Sequence, residues 1–374
     1  MVTQNGGELP AFSSNPSCQH YLFMKIFFAS CRYDHLDPKR GSSFEHENFY
    51  HALAGMPGVT VTEFPFEDVL VKGRREFNEN LRAAAEREKP DLVFCFPYSD
   101  ELEPATLAAL KKQTTTLAWF ADDSWRFYNY SQFWARHFSW AVTTYASMPE
   151  RYRRAGQPNV IVSQWAADTV AYHPTAARGS GPDVSFVGAW TRPRARIIGY
   201  LAAHGIAVTT YGSGWPGGRL SQEDLLRVFS SSKINLALNP PPGFWNVNSL
   251  GRLVARASQN RIVPDFHVMA NLQSWLHRGV PQVKARHFEI PACGGFMLTG
   301  PAADLERWYE PGKEIAIYAD LPDLAQKIRH YLAHPAEREA MAQAAYERTL
   351  REHTYAKRFA EIFRAMGLAP IKNS

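Results

Sequence analysis

Residues 175–188 read TAARGSGPDVSFVG, and this stretch divides the chain into two similar parts. Its first eight residues, Thr175 to Pro182, are small, polar and rich in glycine and proline, as in linkers. Val184 to Val187 then has the apolar character of a short buried strand, and Gly188 ends it. A comparable strand begins near the start of the chain, at Met24-Lys25-Ile26-Phe27-Phe28. The stretch therefore predicts that one αβ unit ends here and a second begins.

Both sides of this linker alternate short apolar runs with helical patterns, which is typical of βαβ units. Upstream, the expected strands are 25–29, 59–64, 91–96, 115–120, 141–144 and 160–163, and the expected helices are 43–53, 76–88 and 103–112. Downstream, the strands are 184–187, 207–211, 234–238, 296–299 and 315–318, and the helices are 195–204, 222–230, 321–334, 337–352 and 354–366. Residues 240–280 are harder to interpret and are assigned to a loop-rich insertion near the cleft.

This pattern predicts an α/β protein with two Rossmann-like domains facing a central cleft. The N-terminal domain spans 24–174 and the C-terminal domain 183–352, while 353–374 forms a C-terminal helix. Ligands of such sheets bind beyond the carboxyl ends of the strands. Residues 1–23 are polar and lack an apolar signal core, so we expect a flexible N-terminal tail.

Composition limits the function classes. The 374 residues are 45% hydrophobic and 21% charged, which excludes a disordered or coiled-coil chain. A net charge of +5 without a long basic run favours a small anionic ligand over nucleic acid. No apolar run is long enough to span a membrane, although peripheral membrane contact is left open. The four cysteines lack metal-ligand spacing, so we expect a reducing, cytoplasmic protein.

Four separated motifs stand in the C-terminal half. They are VKARHFEIPACGGF at 283–296, EPGKEI at 310–315, HP with ERE at 334–339, and EHTY at 352–355. In order and spacing they resemble the CgeB-type (spore maturation protein-like) group-1 glycosyltransferases, over roughly 183–363. DPKRG at 37–41, DDSWRF at 122–127 and SQWA at 163–166 resemble the partner domain that precedes such enzymes.

The resemblance implies the GT-B fold and a nucleotide-sugar donor of the UDP or GDP type, held in the C-terminal half. It also implies that the last helix crosses back to the N-terminal domain. The acceptor is unidentified; a glycan, a lipid-linked sugar or a protein would each fit. No cofactor is expected, because the nucleotide sugar is a co-substrate.

A donor needs partners for its ribose, its diphosphate and its base. A carboxylate can accept hydrogen bonds from both ribose hydroxyls, and Glu289 is the candidate. In related retaining enzymes the second glutamate of a pair has this role. The first glutamate of that pair would fall at Pro281, so this chain lacks it. The alternative for Glu289 is a surface carboxylate on a helix.

The diphosphate can be neutralised by fixed cations rather than by a metal. The candidates are Arg194, Arg196, Lys284 and Arg286. Gly188, Gly212 and Gly214 follow strands, where they would permit close backbone approach. Gly294 and Gly295 are expected to bring backbone N–H groups against the donor. Trp215 is expected either to pack against the nucleotide base or to belong to the core.

Asp122 and Asp123 end a predicted strand and are expected to face the cleft, where they are the catalytic candidates. Such a carboxylate can act as the acceptor base. The alternative is N-capping of the segment that follows. Two other functions stay open: a metal-dependent GT-A-like transferase that uses this pair, and a non-catalytic nucleotide-sugar-binding protein. A dehydrogenase is disfavoured, because no Gly-x-Gly-x-x-Gly follows the first strand.

Overall fold

A computed structural model describes residues 23–176, 180–240, 250–259 and 261–368. Residues 1–22 of the predicted tail and residues 177–179 of the predicted linker lie outside this range. Phe23 is described, and its side chain is 80% exposed. The described chain forms two parallel sheets flanked by helices, as the alternating pattern predicted.

The N-terminal sheet has six parallel strands. They are β1 Met24–Ser30, β2 Val59–Pro65, β3 Leu92–Cys95, β4 Thr115–Phe120, β5 Trp140–Thr143 and β6 Val160–Val162, in the order β2-β1-β3-β4-β5-β6. Ile26, Phe27 and Phe28 of β1 are fully buried, because helices cover both faces of the sheet. The chain leaves β1 towards β2 and returns on its other side to β3, so the order reverses at β1.

Helices connect these strands. They are a π-helix His46–Tyr50 continuing as His51–Ala54, then Asp68–Lys72, Arg74–Glu88, Pro104–Leu110, Asp123–Arg126, Gln132–Trp134 and Pro149–Arg154. A π-turn, Phe127–Ser131, and a 3-10 turn, Ala135–His137, complete the stretch after β4, and two more 3-10 turns occupy Asp34–Leu36 and Pro38–Arg40. The helical stretch 123–137 was not predicted, since its aromatic residues surround the axis and give no single apolar face.

The described part of the C-terminal half contributes seven strands. They are β7 Val184–Val187, β8 Thr209–Tyr211, β9 Ile234–Ala237, β10 Ala255–Ser258, β11 Arg261–Pro264, β12 Met297–Thr299 and β13 Ala316–Ile317. Five form a parallel sheet in the order β13-β12-β9-β7-β8, which reverses between β7 and β9. The remaining two, β10 and β11, pair as an antiparallel hairpin.

Its helices are Arg192–Ala203, Gln222–Ser231, Val268–His277, Arg286–Ala292, Leu321–Ala333, Pro335–Glu352 and Tyr355–Ala365, with a 3-10 turn at Leu305–Arg307. Several begin at ordinary caps: Ser221 and Asp320 each accept a hydrogen bond from the backbone three residues on. Pro291 lies inside the helix that begins at Arg286. The sequence indicated this helix only through the alternative for Glu289, a carboxylate on a helix.

The described residues of segment 250–280 include the β10–β11 hairpin and the helix Val268–His277, rather than a loop-rich insertion as expected. This segment packs on the N-terminal half. The ring of His277 stacks on Tyr128 with a centroid distance of 4.4 Å, and Asn129 donates to Asn271 Oδ1 at 3.2 Å. It therefore connects the two halves beside the cleft; residues 241–249 lie outside the described chain.

The last helix, Tyr355–Ala365, packs on the N-terminal sheet and its helices. Phe359 lies 5.5 Å from Phe49 and 5.8 Å from Phe94, measured between ring centroids. The backbone N–H of Tyr355 donates to the carbonyl of Ala167, and Ala167 donates to the carbonyl of His353. A single apolar core thus continues from this helix into the N-terminal half.

Candidate functional site

A small pocket lies where the carboxyl ends of the two sheets meet. Its volume is about 160 Å³, and it is lined by Asp122, Trp125, Arg194, Asn239, Pro240, Arg278, Val280, Pro281, Gln282 and Lys284. Three of these side chains are cationic and one is anionic, so the pocket favours an anionic ligand. A wider depression of about 510 Å³ lies around Lys89–Asp91 and Gln113–Thr115, at the opposite edge of the N-terminal sheet, where such folds do not bind ligands.

An ion pair crosses this pocket and joins the two halves. Lys284 Nζ lies 2.8 Å from Asp122 Oδ1 and also donates to Gln282 Oε1. Gln282 Nε2 donates in turn to Ser124 Oγ at 2.7 Å. The proposed base and one proposed diphosphate contact are therefore direct neighbours.

Asp122 follows β4 and turns its carboxylate into the cleft. Its backbone is left-handed, with φ 58° and ψ 27°, a conformation that costs a non-glycine residue roughly 1 kcal/mol or more. The carboxylate does not cap the helix that follows. Burial disfavours its charge, but attraction to Lys284, with smaller contributions from Arg126 and Arg278, holds its pKa below the ordinary value.

Asp123 does not face the cleft, so the prediction that both carboxylates do so is wrong for this residue. It is fully buried and accepts hydrogen bonds from Ser131, Thr143 and Tyr152 at 2.6–2.7 Å. Burial raises its pKa to about 7, although the three hydroxyl donors oppose that shift. The physical reason is helical geometry: successive residues point in different directions, and only one can reach the cleft.

Arg194 spans the point where the C-terminal sheet reverses. Its Nη1 donates to the carbonyl of Ala189 at 2.9 Å and its Nε to the carbonyl of Leu238 at 3.2 Å. Burial, followed by the nearby charge of Arg286, lowers its pKa. Two guanidinium groups held close together create a positive site that an anion would stabilise. Arg196 is exposed, and it is not among the residues that line the pocket.

Gly188, Gly212 and Gly214 permit two loops to pack against each other after β7 and β8. A Cβ on Gly212 would lie 2.2 Å from the carbonyl oxygen of Gly188, and one on Gly214 would lie 2.8 Å from Cβ of Trp190. Trp215 is half-buried and packs edge-on against Phe186 at 6.1 Å, within the core of the C-terminal half. Loop packing and the core thus account for these four residues.

Glu289 is buried rather than open to the cleft. Its side chain is 2% exposed and forms an ion pair with Arg286 one helical turn earlier. Tyr172 also lies against this pair, and the negative charge of Glu289 helps burial to raise the pKa of the tyrosine. In this conformation a ribose hydroxyl would reach Glu289 only after displacement of Arg286 or Tyr172.

Gly294 and Gly295 lie at the wrong edge of the sheet for donor binding. They precede β12, so they stand at its amino end, away from the cleft. A Cβ on Gly295 would approach the carbonyl oxygen of Phe229 to 2.4 Å and Asn235 Nδ2 to 2.7 Å. The reason is the helix Arg286–Ala292, which begins at the cleft and carries the chain to the opposite edge.

His287 holds the segment that presents Lys284. The backbone N–H of Lys284 donates to His287 Nδ1 at 3.0 Å, and His287 Nε2 lies 3.0 Å from Thr299 Oγ1. Burial lowers the pKa of this histidine to about 4, so it is neutral near pH 7.

Four polar or aromatic pocket residues were not predicted as site residues: Trp125, Asn239, Arg278 and Gln282. Asn239 directly follows a predicted strand, so the rule that ligands bind at strand ends would have identified it. The guanidinium of Arg278 lies 5.1 Å from the ring of Trp125. Arg278 belongs to residues 240–280, which the sequence assigned only to a loop-rich insertion.

No three His, Cys, Asp or Glu side chains of the described residues converge as metal ligands. None of the described helices combines the length and apolar character needed to cross a bilayer.

Comparisons with known proteins bear on this site. Residues 192–364 match a family model described as glycosyl transferase-like. The fold is similar to that of sucrose-phosphate synthase from Thermosynechococcus elongatus, at 13% identity and a TM-score of 0.60, covering 92% of this chain and 99% of the other. Anabaena HepE in complex with UDP is similar at 11% identity and a TM-score of 0.59, covering 92% and 100%. A glycosyltransferase from Rickettsia africae is similar at 10% and 0.57, covering 94% and 100%.

The chain is a glycosyltransferase with the GT-B fold. Comparison by sequence with curated proteins finds no match. The two-domain fold overturns the GT-A-like alternative, which needed only one Rossmann-like domain. The sequence analysis was correct about the class of enzyme and its architecture.

Proposed function

We propose that this glycosyltransferase binds a UDP-sugar in the pocket between its two halves, with the diphosphate held by Lys284, Arg194 and Arg278. The convergence of these three cations on one pocket carries the proposal. HepE, a protein of the same fold, is known in complex with UDP and with UDP-glucose. The motifs of the C-terminal half resemble the CgeB-type branch, which we propose as the subfamily.

We assign Asp122 as the group that accepts the proton of the acceptor hydroxyl. In transfer, the acceptor oxygen forms a bond to the anomeric carbon, the bond from that carbon to the diphosphate breaks, and the nucleoside diphosphate leaves with the electron pair. A diphosphate that attracts Lys284 would draw it away from Asp122. Because the attraction of Lys284 keeps the pKa of Asp122 low, losing it would make the carboxylate a better base.

No cofactor is required in this proposal, since the cations replace a metal at the diphosphate. The sugar itself needs contacts beyond the pair of glutamates found in related retaining enzymes, because Pro281 stands in the pocket instead of the first one. A reducing, cytoplasmic location is consistent with the free and buried thiols of Cys31, Cys95 and Cys293.

Calorimetric titration with UDP, GDP, CDP and dTDP in the presence of EDTA tests donor binding. UDP should bind most tightly. Lys284→Met should weaken UDP binding by about 10- to 100-fold, the effect of one charge-assisted hydrogen bond. Lys313→Met, at a lysine side chain 67% exposed on a distant turn, is the matched control. Equal affinity of wild type and Lys284→Met, or UDP binding that requires a divalent metal, would refute the assignment.

A further inference from the structure

The helix Val268–His277 exposes apolar side chains and buries polar ones. Met269 and Leu276, seven residues apart on one face, are 69% and 57% exposed. Asn271 and Ser274, on the opposite face, are each 3% exposed. A surface helix of a water-soluble domain has the reverse arrangement, so the outward face of this helix is suited to a non-aqueous neighbour.

The neighbouring hairpin also exposes apolar side chains. Ile262 of β11 is 84% exposed, and Phe266, which follows it, is 86% exposed. Hydrogen bonds tie the pieces together: Asp265 N–H donates to the carbonyl of Val254 at 2.8 Å, and Asn271 Nδ2 donates to that of Leu253 at 3.2 Å. We call the exposed set the apolar patch; it consists of Leu250, Val254, Ile262, Phe266, Val268, Met269 and Leu276.

The other side of the same segment is firmly attached to the N-terminal half. Ser258 Oγ donates to Asp100 Oδ1 at 2.7 Å, and Arg256 Nη2 lies 3.1 Å from Asp100 Oδ2. His277 stacks on Tyr128. These contacts orient the segment, so the apolar patch faces outward as a consequence of the fold.

The charge around the apolar patch identifies its occupant. Residues 250–280 contain four arginines and two histidines, and Asp265 is their single acidic residue. That aspartate is 5% exposed. Arg256 pairs with Asp100 and Arg278 lines the pocket, whereas Arg252 and Arg261 are exposed and give the surface of the segment a positive charge. Apolar side chains beside exposed arginines match the headgroup region of an anionic bilayer, where each basic residue adds attraction.

We propose that the apolar patch inserts into the surface of a membrane that contains anionic lipids. Arg278 and Val280, at the end of this segment, line the pocket between the two halves. A membrane bound at the patch would therefore lie beside that pocket, where an acceptor carried on a lipid could enter it. The membrane contact stands independently of the donor assignment.

Co-sedimentation of the full chain with lipid vesicles tests this proposal. Wild type should bind vesicles of phosphatidylcholine with phosphatidylglycerol at least about 10-fold more strongly than pure phosphatidylcholine vesicles. The triple variant Ile262→Ser, Phe266→Ser, Met269→Ser should bind the mixed vesicles about 100-fold less strongly. The double variant Val71→Ser, Val170→Ser is the matched control, because these valines are 83% and 85% exposed outside the patch.

UDP titration and light scattering accompany the binding assay. The triple variant should keep the melting temperature and the UDP affinity of the wild type, which separates failure of this proposal from failure of the donor assignment. Absence of wild-type binding, or equal binding by the triple variant, overturns the proposal. Self-association that the triple variant abolishes, without vesicle binding, would instead make the patch an interface between two copies.

Discussion

Glu289 is the residue whose role changes most between sequence and structure. From the sequence it was the candidate for the donor ribose, but its carboxylate is buried against Arg286 and Tyr172. A buried carboxylate with a charged partner is a structural group, and removing it leaves that partner without compensation. We therefore expect Glu289 to stabilise the packing beside the pocket.

Glu289→Ala should lower the free energy of unfolding by about 1–3 kcal/mol, a value reduced from that of a fully buried pair because Arg286 is partly exposed. Glu289→Gln should lie between, since the amide oxygen still accepts a hydrogen bond. UDP affinity of the folded fraction should be unchanged. Urea unfolding and calorimetry measure the two quantities, with Glu347→Ala on an exposed helix face as the control.

The opposite pattern would restore the ribose assignment. A fall in UDP affinity of about 30-fold or more, with unchanged unfolding, requires that the donor displace Arg286 or Tyr172 and reach the carboxylate.

At the scale of elements, the short helix Arg286–Ala292 determines the site. It begins at the cleft, so Lys284 before its first turn faces Asp122, while the glycine pair after its last turn reaches the far edge of the sheet. His287 in its first turn anchors the preceding segment to β12 through Thr299.

The free energy of unfolding should fall in acid because of His287 in this helix. Its folded-state pKa is about 4, below the ordinary value of about 6.5, so the unfolded chain binds more protons between these two values. Stability is therefore complete above pH ~6.5 and falls by up to about 3 kcal/mol as the pH approaches ~4. His353, whose pKa burial also lowers to about 4, acts in the same direction.

Asp123 acts in the opposite direction. Its raised pKa adds stability at low pH that is lost as the pH rises towards about 7.

The test therefore compares slopes. The plot of unfolding free energy against pH should be less steep for His287→Asn than for wild type between pH ~4 and ~6.5. His204→Asn, at an exposed helix end, should keep the wild-type slope. Identical slopes for wild type and His287→Asn would show that the pKa of His287 is the same in the folded and the unfolded chain.

At the scale of the whole molecule, two larger elements hold the halves in register, in addition to the ion pair between Lys284 and Asp122. The segment 250–280 bridges them beside the pocket, and the helix Tyr355–Ala365 bridges them behind it. Phe359 is fully buried against Phe49 and Phe94 of the N-terminal half. The geometry of the cleft therefore depends on contacts between residues that lie more than two hundred positions apart in sequence.

Phe359→Ala should destabilise the protein by about 3–5 kcal/mol, the usual cost of removing a buried aromatic ring. Backbone hydrogen exchange should rise in His51–Ala54, the helix against which the last helix packs. When Lys284→Met is added to Phe359→Ala, it should weaken UDP binding less than it does in the otherwise wild-type protein. Arg364→Ala, on the exposed face of the same helix, is the control. Unchanged exchange in His51–Ala54 would show that the last helix contributes nothing to the N-terminal half.

Much of this architecture followed from local pattern. All eleven predicted strands occur within about two residues of their expected ends, because most of them are short apolar runs, as is typical of buried parallel strands. Asp122 and Lys284 could be selected as site residues for the same kind of reason: one ends a strand and the other lies in a recognisable motif.

The sequence by itself determined the α/β class, the two-domain division and the glycosyltransferase motifs. Only the tertiary structure decided which side chains share a site. The direction in which a side chain points cannot be predicted from local pattern. Asp122 and Asp123 are adjacent, yet Asp122 reaches the cleft and Asp123 is buried. Burial depends on distant elements too, as Tyr172 covering Glu289 shows. The outward apolar face of residues 268–277 likewise follows from the docking of its polar face, because a helical pattern specifies two faces but not which one meets the protein.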